Sequence, residues 1–149
     1  VRPSLKRLFG KGGVIWSGLG VWWRGPGRDL RLVVDGREKQ AQWVVALNGR
    51  YFAGPHLLSR EGDIFEPGLK LFLFRNGSRF ALVRYLLALG LGRVEMLKDV
   101  EIIEARRIHI SSPQSVEVEV DGDAHGHLPQ EIEQGTRMLR LVVPPDFSR

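Results

Sequence analysis

The 149-residue chain contains no cysteine. Disulfide staples, thiolate zinc sites and cysteine nucleophiles are therefore excluded, and the composition suits a reducing compartment. No apolar run approaches the ~20 residues that a membrane-spanning helix needs. A secretory signal is missing too, because Lys6, Arg7 and Lys11 interrupt the start. No Gly-x-x-x-x-Gly-Lys-Ser/Thr loop occurs. The Gly-x-Gly pairs at Gly10/Gly12, Gly18/Gly20, Gly25/Gly27 and Gly90/Gly92 lack the third glycine of a dinucleotide fingerprint. Gly-x-Ser-x-Gly is absent, so no hydrolase elbow is present. The chain carries no recognisable nucleotide site of its own.

What remains is the profile of a globular domain. Hydrophobic residues make up 43% and charged residues 26%, which excludes disorder for most of the chain and supports one core without staples. The net charge of +5 is unevenly placed. Residues 1–39 hold nine basic and three acidic side chains, and the remainder thirteen and fourteen. A basic N-terminal lobe suits an anionic partner, such as lipid, phosphate or nucleic acid, although a solvated surface explains a modest excess equally well. Val1 at the start is expected to mark a boundary inside a longer protein.

The apolar spacing over residues 4–24 is helical with glycine interruptions, and Gly25-Pro26-Gly27 ends it. The period then changes to two. Leu30–Val34 and Trp43–Leu47 are expected strands, joined as a hairpin across a polar loop that begins at Asp35-Gly36. Further strands are expected at 69–74, 100–105, 106–110, 116–120 and 138–143. Residues 79–90 form the clearest helix, capped by Ser78, with Phe80, Val83, Leu86 and Leu87 on one apolar face and Leu82, Leu89 and Ala81 beside it. Val116, Val118 and Val120 should point inward and Glu117 and Glu119 outward. About seven strands and two helical stretches result. They imply a mainly β, two-sheet sandwich over residues 28–145, with a helical lead-in at 1–27 and one inserted amphipathic helix.

Few side chains carry chemistry. His125-x-His127 could put two imidazoles on one side of an extended segment, with Asp121 or Asp123 as a third ligand, but a solvated loop explains the segment better. Asp35-Gly36 is accounted for by hairpin chemistry. Asp121-Gly122-Asp123 follows an alternating strand and brings a second carboxylate two residues later. One such group could accept a proton and the other orient the reactant, although an Asp-Gly pair alone most often makes a turn.

The order of these segments resembles the bacterial diacylglycerol kinase-like lipid kinases. Asn48-Gly49-Arg50-Tyr51-Phe52-Ala53-Gly54 resembles that family's Asn-Gly-x-x-x-Gly-Gly segment. The 55–68 loop, Gly68-Leu69 and the helix at 79–90 follow in the family's order. Val118-Glu119-Val120-Asp121-Gly122-Asp123 matches Val-x-Val-Asp-Gly-Glu, with Asp123 in place of the glutamate. Pro129 and Leu141-Val142-Val143-Pro144 complete the pattern. The resemblance implies the C-terminal, NAD kinase-like β-sandwich of a two-domain enzyme. The N-terminal nucleotide-binding domain, with its Gly-Gly-Asp-Gly-Thr loop, lies outside this chain. It further implies ATP and magnesium as cofactors of the full-length protein, a lipid hydroxyl as acceptor, Asp121 as general base and Asp123 as its acidic partner. Where the family has the metal-binding Asp of Asp-Gly-x-Leu, this chain has Pro67, so the neighbouring Glu66 is the expected metal ligand.

Trp22, Trp23 and Arg24 combine aromatic and basic character, which suits a membrane interface. Packing onto the sheet or against the other domain would use the same rings. The expectation is a cytoplasmic protein of lipid metabolism, peripheral to the inner membrane and compatible with a homodimer. The competing reading is a non-catalytic sandwich that binds lipid or protein. Nucleic-acid binding is not expected, because neither stacking aromatics on strands nor a helix-turn-helix pattern is present.

Overall fold

The computed structural model describes residues 27–52, 55–62, 64–65, 67–135 and 142. The helical lead-in, the final expected strand apart from Val142, and Trp22, Trp23, Arg24 and Glu66 lie outside the described residues.

β1 (Leu30–Val34) alternates buried and exposed side chains. The chain then turns on Asp35 and Gly36, whose φ values of 47° and 81° are both left-handed. A two-residue turn with this geometry matches strand twist and forces immediate pairing. β2 (Arg37–Ala41) therefore pairs with β1, Val34 opposite Arg37 and Leu30 opposite Ala41. This corrects the expected hairpin between 30–34 and 43–47. β2 is polar along most of its length because it is an edge strand, and its polarity hid it.

Gln42 hands the chain to a second sheet. Its amide donates to the Phe74 carbonyl at 2.7 Å, and its carbonyl accepts from Arg28. β3 (Trp43–Leu47) then pairs with β6 (Leu69–Phe74), which pairs with β7 (Val100–Ala105). Between β3 and β6 lies a small hairpin of β4 (Tyr51–Phe52) and β5 (His56–Leu57). After β7, the chain crosses back at Arg106 to β8 (Arg107–Ser111), which lies beside β1. β9 (Glu117–Val120) and β10 (Asp123–His127) form a separate ribbon, and β11 (Gln130–Glu133) pairs with β8. The result is a four-stranded sheet, β11-β8-β1-β2, and a three-stranded sheet, β3-β6-β7, all antiparallel.

The expected two-sheet β-sandwich is what forms. Leu30, Leu32, Val34, Ile108 and Ile110 meet Leu71, Leu73 and Ala105 in one core between the sheets. The sequence of β6, Leu-Lys-Leu-Phe-Leu-Phe, has a second apolar face. Phe72 and Phe74 point the other way, into a core roofed by the helix α1 (Arg79–Gly90) through Ala81, Tyr85, Ala88 and Leu89. A strand buried on both faces reads as a near-continuous apolar run, and this one does.

α1 begins at its expected residue, with the Ser78 hydroxyl accepting from the Ala81 amide at 3.1 Å. Its buried face is rotated from the expected centre toward the flanking Ala81, Leu82 and Leu89. Ala81, Leu82, Tyr85, Ala88 and Leu89 are buried, while Phe80, Val83 and Leu87 face outward. Tyr85 turns the helix. Its ring packs on Phe74 with centroids 4.8 Å apart, and its hydroxyl donates to Asp99 at 2.5 Å. Burial, and then that hydrogen bond, raise the Tyr85 pKa.

Two polar links close the molecule. Lys39, on β2, reaches across to Glu101, on β7, at 2.6 Å, and Arg75 holds the other oxygen of Glu101 at 2.6 Å. These hydrogen bonds, first Lys39 and then Arg75, lower the Glu101 pKa. At the loop between β3 and β6, Gly62 lies on Gly49. A Cβ added at Gly62 would sit 2.1 Å from the Gly49 carbonyl oxygen. Arg50 Nε donates to the Gly62 carbonyl at 2.8 Å and holds the crossing.

Candidate functional site

The ribbon β9–β10 carries the two carboxylates singled out by sequence. Its base is fixed where the Leu128 amide donates to the Val116 carbonyl at 2.9 Å, and both side chains pack against the sandwich core. Beyond that point the ribbon emerges into solvent. Val118 is half-buried and Val120 is 49% exposed, so of the three valines expected to face inward only Val116 joins the core. Residues 123–127, expected as a loop, are a strand. An Asp-Gly pair makes a two-residue hairpin turn and returns the chain as β10.

Asp121 occupies the tip, with φ 52°, and Gly122 follows with φ 86°. Aspartate tolerates the left-handed region better than most residues, and glycine adopts it without strain. Asp123 pairs directly with Val120. Its side chain therefore shares the valine face of the ribbon, two residues from the tip. Both aspartates are exposed, and neither has a hydrogen bond or ion pair among the described residues.

Asp35 is an internal comparison. It sits in the same Asp-Gly turn with nearly the same backbone, yet its carboxylate accepts from the backbone amides of Arg106 at 3.2 Å and Arg107 at 2.8 Å. One Asp-Gly turn is thus tied into the crossover between the sheets. The other presents its carboxylate outward.

The histidines do not form a metal site. Gly126, with φ 87°, puts a bulge between His125 and His127 and breaks the even alternation of β10. Both rings are exposed. Among the described residues, no group of three or more His, Asp or Glu side chains could hold a metal ion. Pro67 lines a shallow hollow with Asn48, Glu61, Gly62 and Lys70, and a neighbouring hollow of about 330 Å³ is bounded by Glu61, Lys70, Glu95 and Glu104. Lys70 partly neutralises this acidic edge through an ion pair with Glu61 at 3.3 Å. Sequence reading missed this hollow, because Glu61, Glu95 and Glu104 come from three separate segments.

Residues 23–143 match the family model described as the YegS C-terminal NAD kinase beta sandwich-like domain. The chain belongs to this family. A Streptococcus pneumoniae serotype 4 protein named "Putative lipid kinase" is 31% identical over 106 residues, which are 71% of this chain and 35% of that protein. Two crystal structures of Bacillus anthracis proteins share the fold. One, named as a putative diacylglycerol kinase, superposes with a TM-score of 0.66 at 24% identity, over 88% of this chain and 44% of its own. The other, named as a diacylglycerol kinase, gives 0.63 at 22%, over 89% and 46%. The YegS-type domain described here thus spans less than half the length of these relatives. Among its described residues, no helix is long and apolar enough to cross a membrane.

Proposed function

We propose that this chain is the acceptor-side domain of an ATP-dependent kinase that phosphorylates a lipid hydroxyl, with Asp121 as general base and Asp123 as its acidic partner. The observation that carries the reading is the contrast between the two Asp-Gly turns. The Asp35 carboxylate is consumed by backbone amides, and that of Asp121 is exposed at the tip of a projecting ribbon without a partner among the described residues.

The chemistry asked of this chain is limited. Phosphoryl transfer depends on positioning and charge stabilisation, with a carboxylate taking the proton of the attacking hydroxyl. Asp121 supplies that acceptor. Because the sequence holds no phosphate loop, ATP with its magnesium is proposed to be held by the nucleotide-binding domain of the full-length enzyme. Glu66, outside the described residues, is kept as the proposed ligand of a further metal ion. A lipid acceptor agrees with the lipid-kinase name of the S. pneumoniae relative. Trp22, Trp23 and Arg24 are proposed to help the enzyme rest on the membrane surface.

The test is made on the full-length enzyme with ATP, magnesium and diacylglycerol in mixed micelles. Asp121→Asn keeps the shape of the side chain but cannot accept the proton, and a general base is worth a factor of ~10²–10⁴ in rate. Activity within a few-fold of the parent would return Asp121 to the role of a turn residue. This chain alone should show no turnover in the same assay, and sustained turnover would overturn the two-domain reading.

A further inference from the structure

The outward face of α1 carries a row of exposed apolar side chains that the catalytic reading leaves unused. Phe80 is 89% exposed, Val83 45%, Leu87 64% and Leu91 69%. Their spacing of three, four and four residues makes one continuous stripe along the helix. Met96, 72% exposed, follows in the next turn of chain. The opposite face already fills the core beneath, and among the described residues the stripe takes no part in that core. Single exposed apolar side chains are ordinary, but a contiguous row of large ones marks a contact surface.

Charge says what kind of contact. From Arg75 to Val94 the sequence holds Arg75, Arg79, Arg84 and Arg93 and no carboxylate. The acidic groups around this face are Glu95, Asp99 and Glu101. Arg84 pairs with Asp99, and Arg75 and Lys39 with Glu101. These pairs neutralise both carboxylates and, with Arg93 and Lys98 nearby in sequence, the face keeps a positive excess. A second copy of the chain docking here about a two-fold axis would set these arginines against each other. An anionic lipid surface meets the same pattern favourably. Apolar side chains enter the headgroup–acyl boundary, and guanidinium groups flank them at phosphate level.

We propose that α1 lies flat on an anionic phospholipid bilayer, with Phe80, Val83, Leu87 and Leu91 immersed and Arg93, at the end of the stripe, on the headgroups. This deepens the lipid-kinase reading by naming the surface through which the domain meets the bilayer that holds its acceptor. Vesicle binding is measured without catalysis, so it can fail while the kinase reading stands, and the reverse.

The absence of cysteine supplies the probe. Leu87→Cys introduces a single thiol on the stripe, and Val33→Cys places one on the outer face of the four-stranded sheet as a control. Each is labelled with an environment-sensitive fluorophore and titrated with phosphatidylcholine vesicles, with and without phosphatidylglycerol. The label at position 87 should shift to the blue with the anionic vesicles only, reversibly with added salt. The label at position 33 should not move. Phe80→Ser with Leu87→Ser should weaken co-sedimentation about tenfold at an unchanged melting temperature, and Arg93→Gln about fivefold. Any of four results would overturn the proposal. The label at 87 could stay unmoved; it could already be blue-shifted without lipid, showing that protein covers the stripe. The serine variant could lose several degrees of melting temperature, or vesicle binding could depend on Trp22 and Trp23 alone.

Discussion

Asp35 and Asp121 have the same neighbour, the same turn and opposite surroundings. The difference lies in what faces each carboxylate. Backbone amides of Arg106 and Arg107 meet Asp35 where the chain crosses between sheets, and nothing among the described residues meets Asp121. The same substitution at both positions should therefore separate structure from chemistry. Asp35→Asn weakens charge-assisted hydrogen bonds and should cost about 1 kcal/mol in urea unfolding, with turnover of the full-length enzyme retained. Asp121→Asn should leave stability within about 0.5 kcal/mol, as expected of an exposed site, while removing turnover. Glu101 makes a pH prediction. Its pKa is lowered below the ordinary 4.5, chiefly by the hydrogen bond from Lys39 and then by that from Arg75. A depressed carboxylate stabilises the fold above its unfolded-state pKa and loses that contribution as pH falls through the folded value. Stability should thus be flat above about pH 5 with respect to this group and decline below about pH 4. Glu101→Gln should remove that part of the decline, as read from urea midpoints across the acid range.

At the scale of elements, legibility followed side-chain pattern and failed where pattern was weak or shared. β6 and α1 were readable to the residue, because a double-faced apolar run and a capped helical period have few alternative readings. β2, β10 and β11 were not. β2 and β11 are mostly polar strands, and β10 has a glycine bulge that breaks its period. The Asp-Gly turns are legible as turns, but the strands that each begins carry too little apolar pattern to be read from sequence. The buried face of α1 is rotated from its expected centre for another reason. The helix has apolar residues around most of its circumference, and Tyr85, with its tie to Asp99, decides which side goes down. The candidate base was legible only through the motif that contains it. Its availability became visible only when the two turns could be compared in space. The loop between β3 and β6 is held by a backbone crossing. Gly62 is required because the Gly49 backbone passes directly over it. Gly62→Ala drives a methyl into backbone that cannot yield, at a cost of about 3 kcal/mol or more. Gly122→Ala meets no atom within 4 Å and is strained only by its φ of 86°, at about 1–2 kcal/mol. Thermal unfolding of the two variants should rank them in that order.

For the whole molecule, the decisive arrangement is that one strand serves two cores. Leu71 and Leu73 leave β6 on the sandwich side, and Phe72 and Phe74 on the helix side, each no more than 8% exposed. Neither core can lose its part of β6 without disturbing the strand that anchors the other. The molecule should therefore unfold in one transition, although its layers are topologically distinct. Phe72→Ala would remove about 3–5 kcal/mol and Leu71→Ala about 2–5, against the ~5–15 kcal/mol that holds a typical domain together. Hydrogen exchange tests the coupling, because it reports each element separately. With Phe72→Ala, amides of β1 on the far side of the sandwich should lose protection by the same free energy as amides of α1, which the phenylalanine touches. With Leu71→Ala, the helix should lose as much as the sandwich. If α1 alone opens in the first variant while β1 keeps its protection, the two cores are independent units. The helix would then be a detachable layer, and its outward stripe could leave the sheet without unfolding the sandwich.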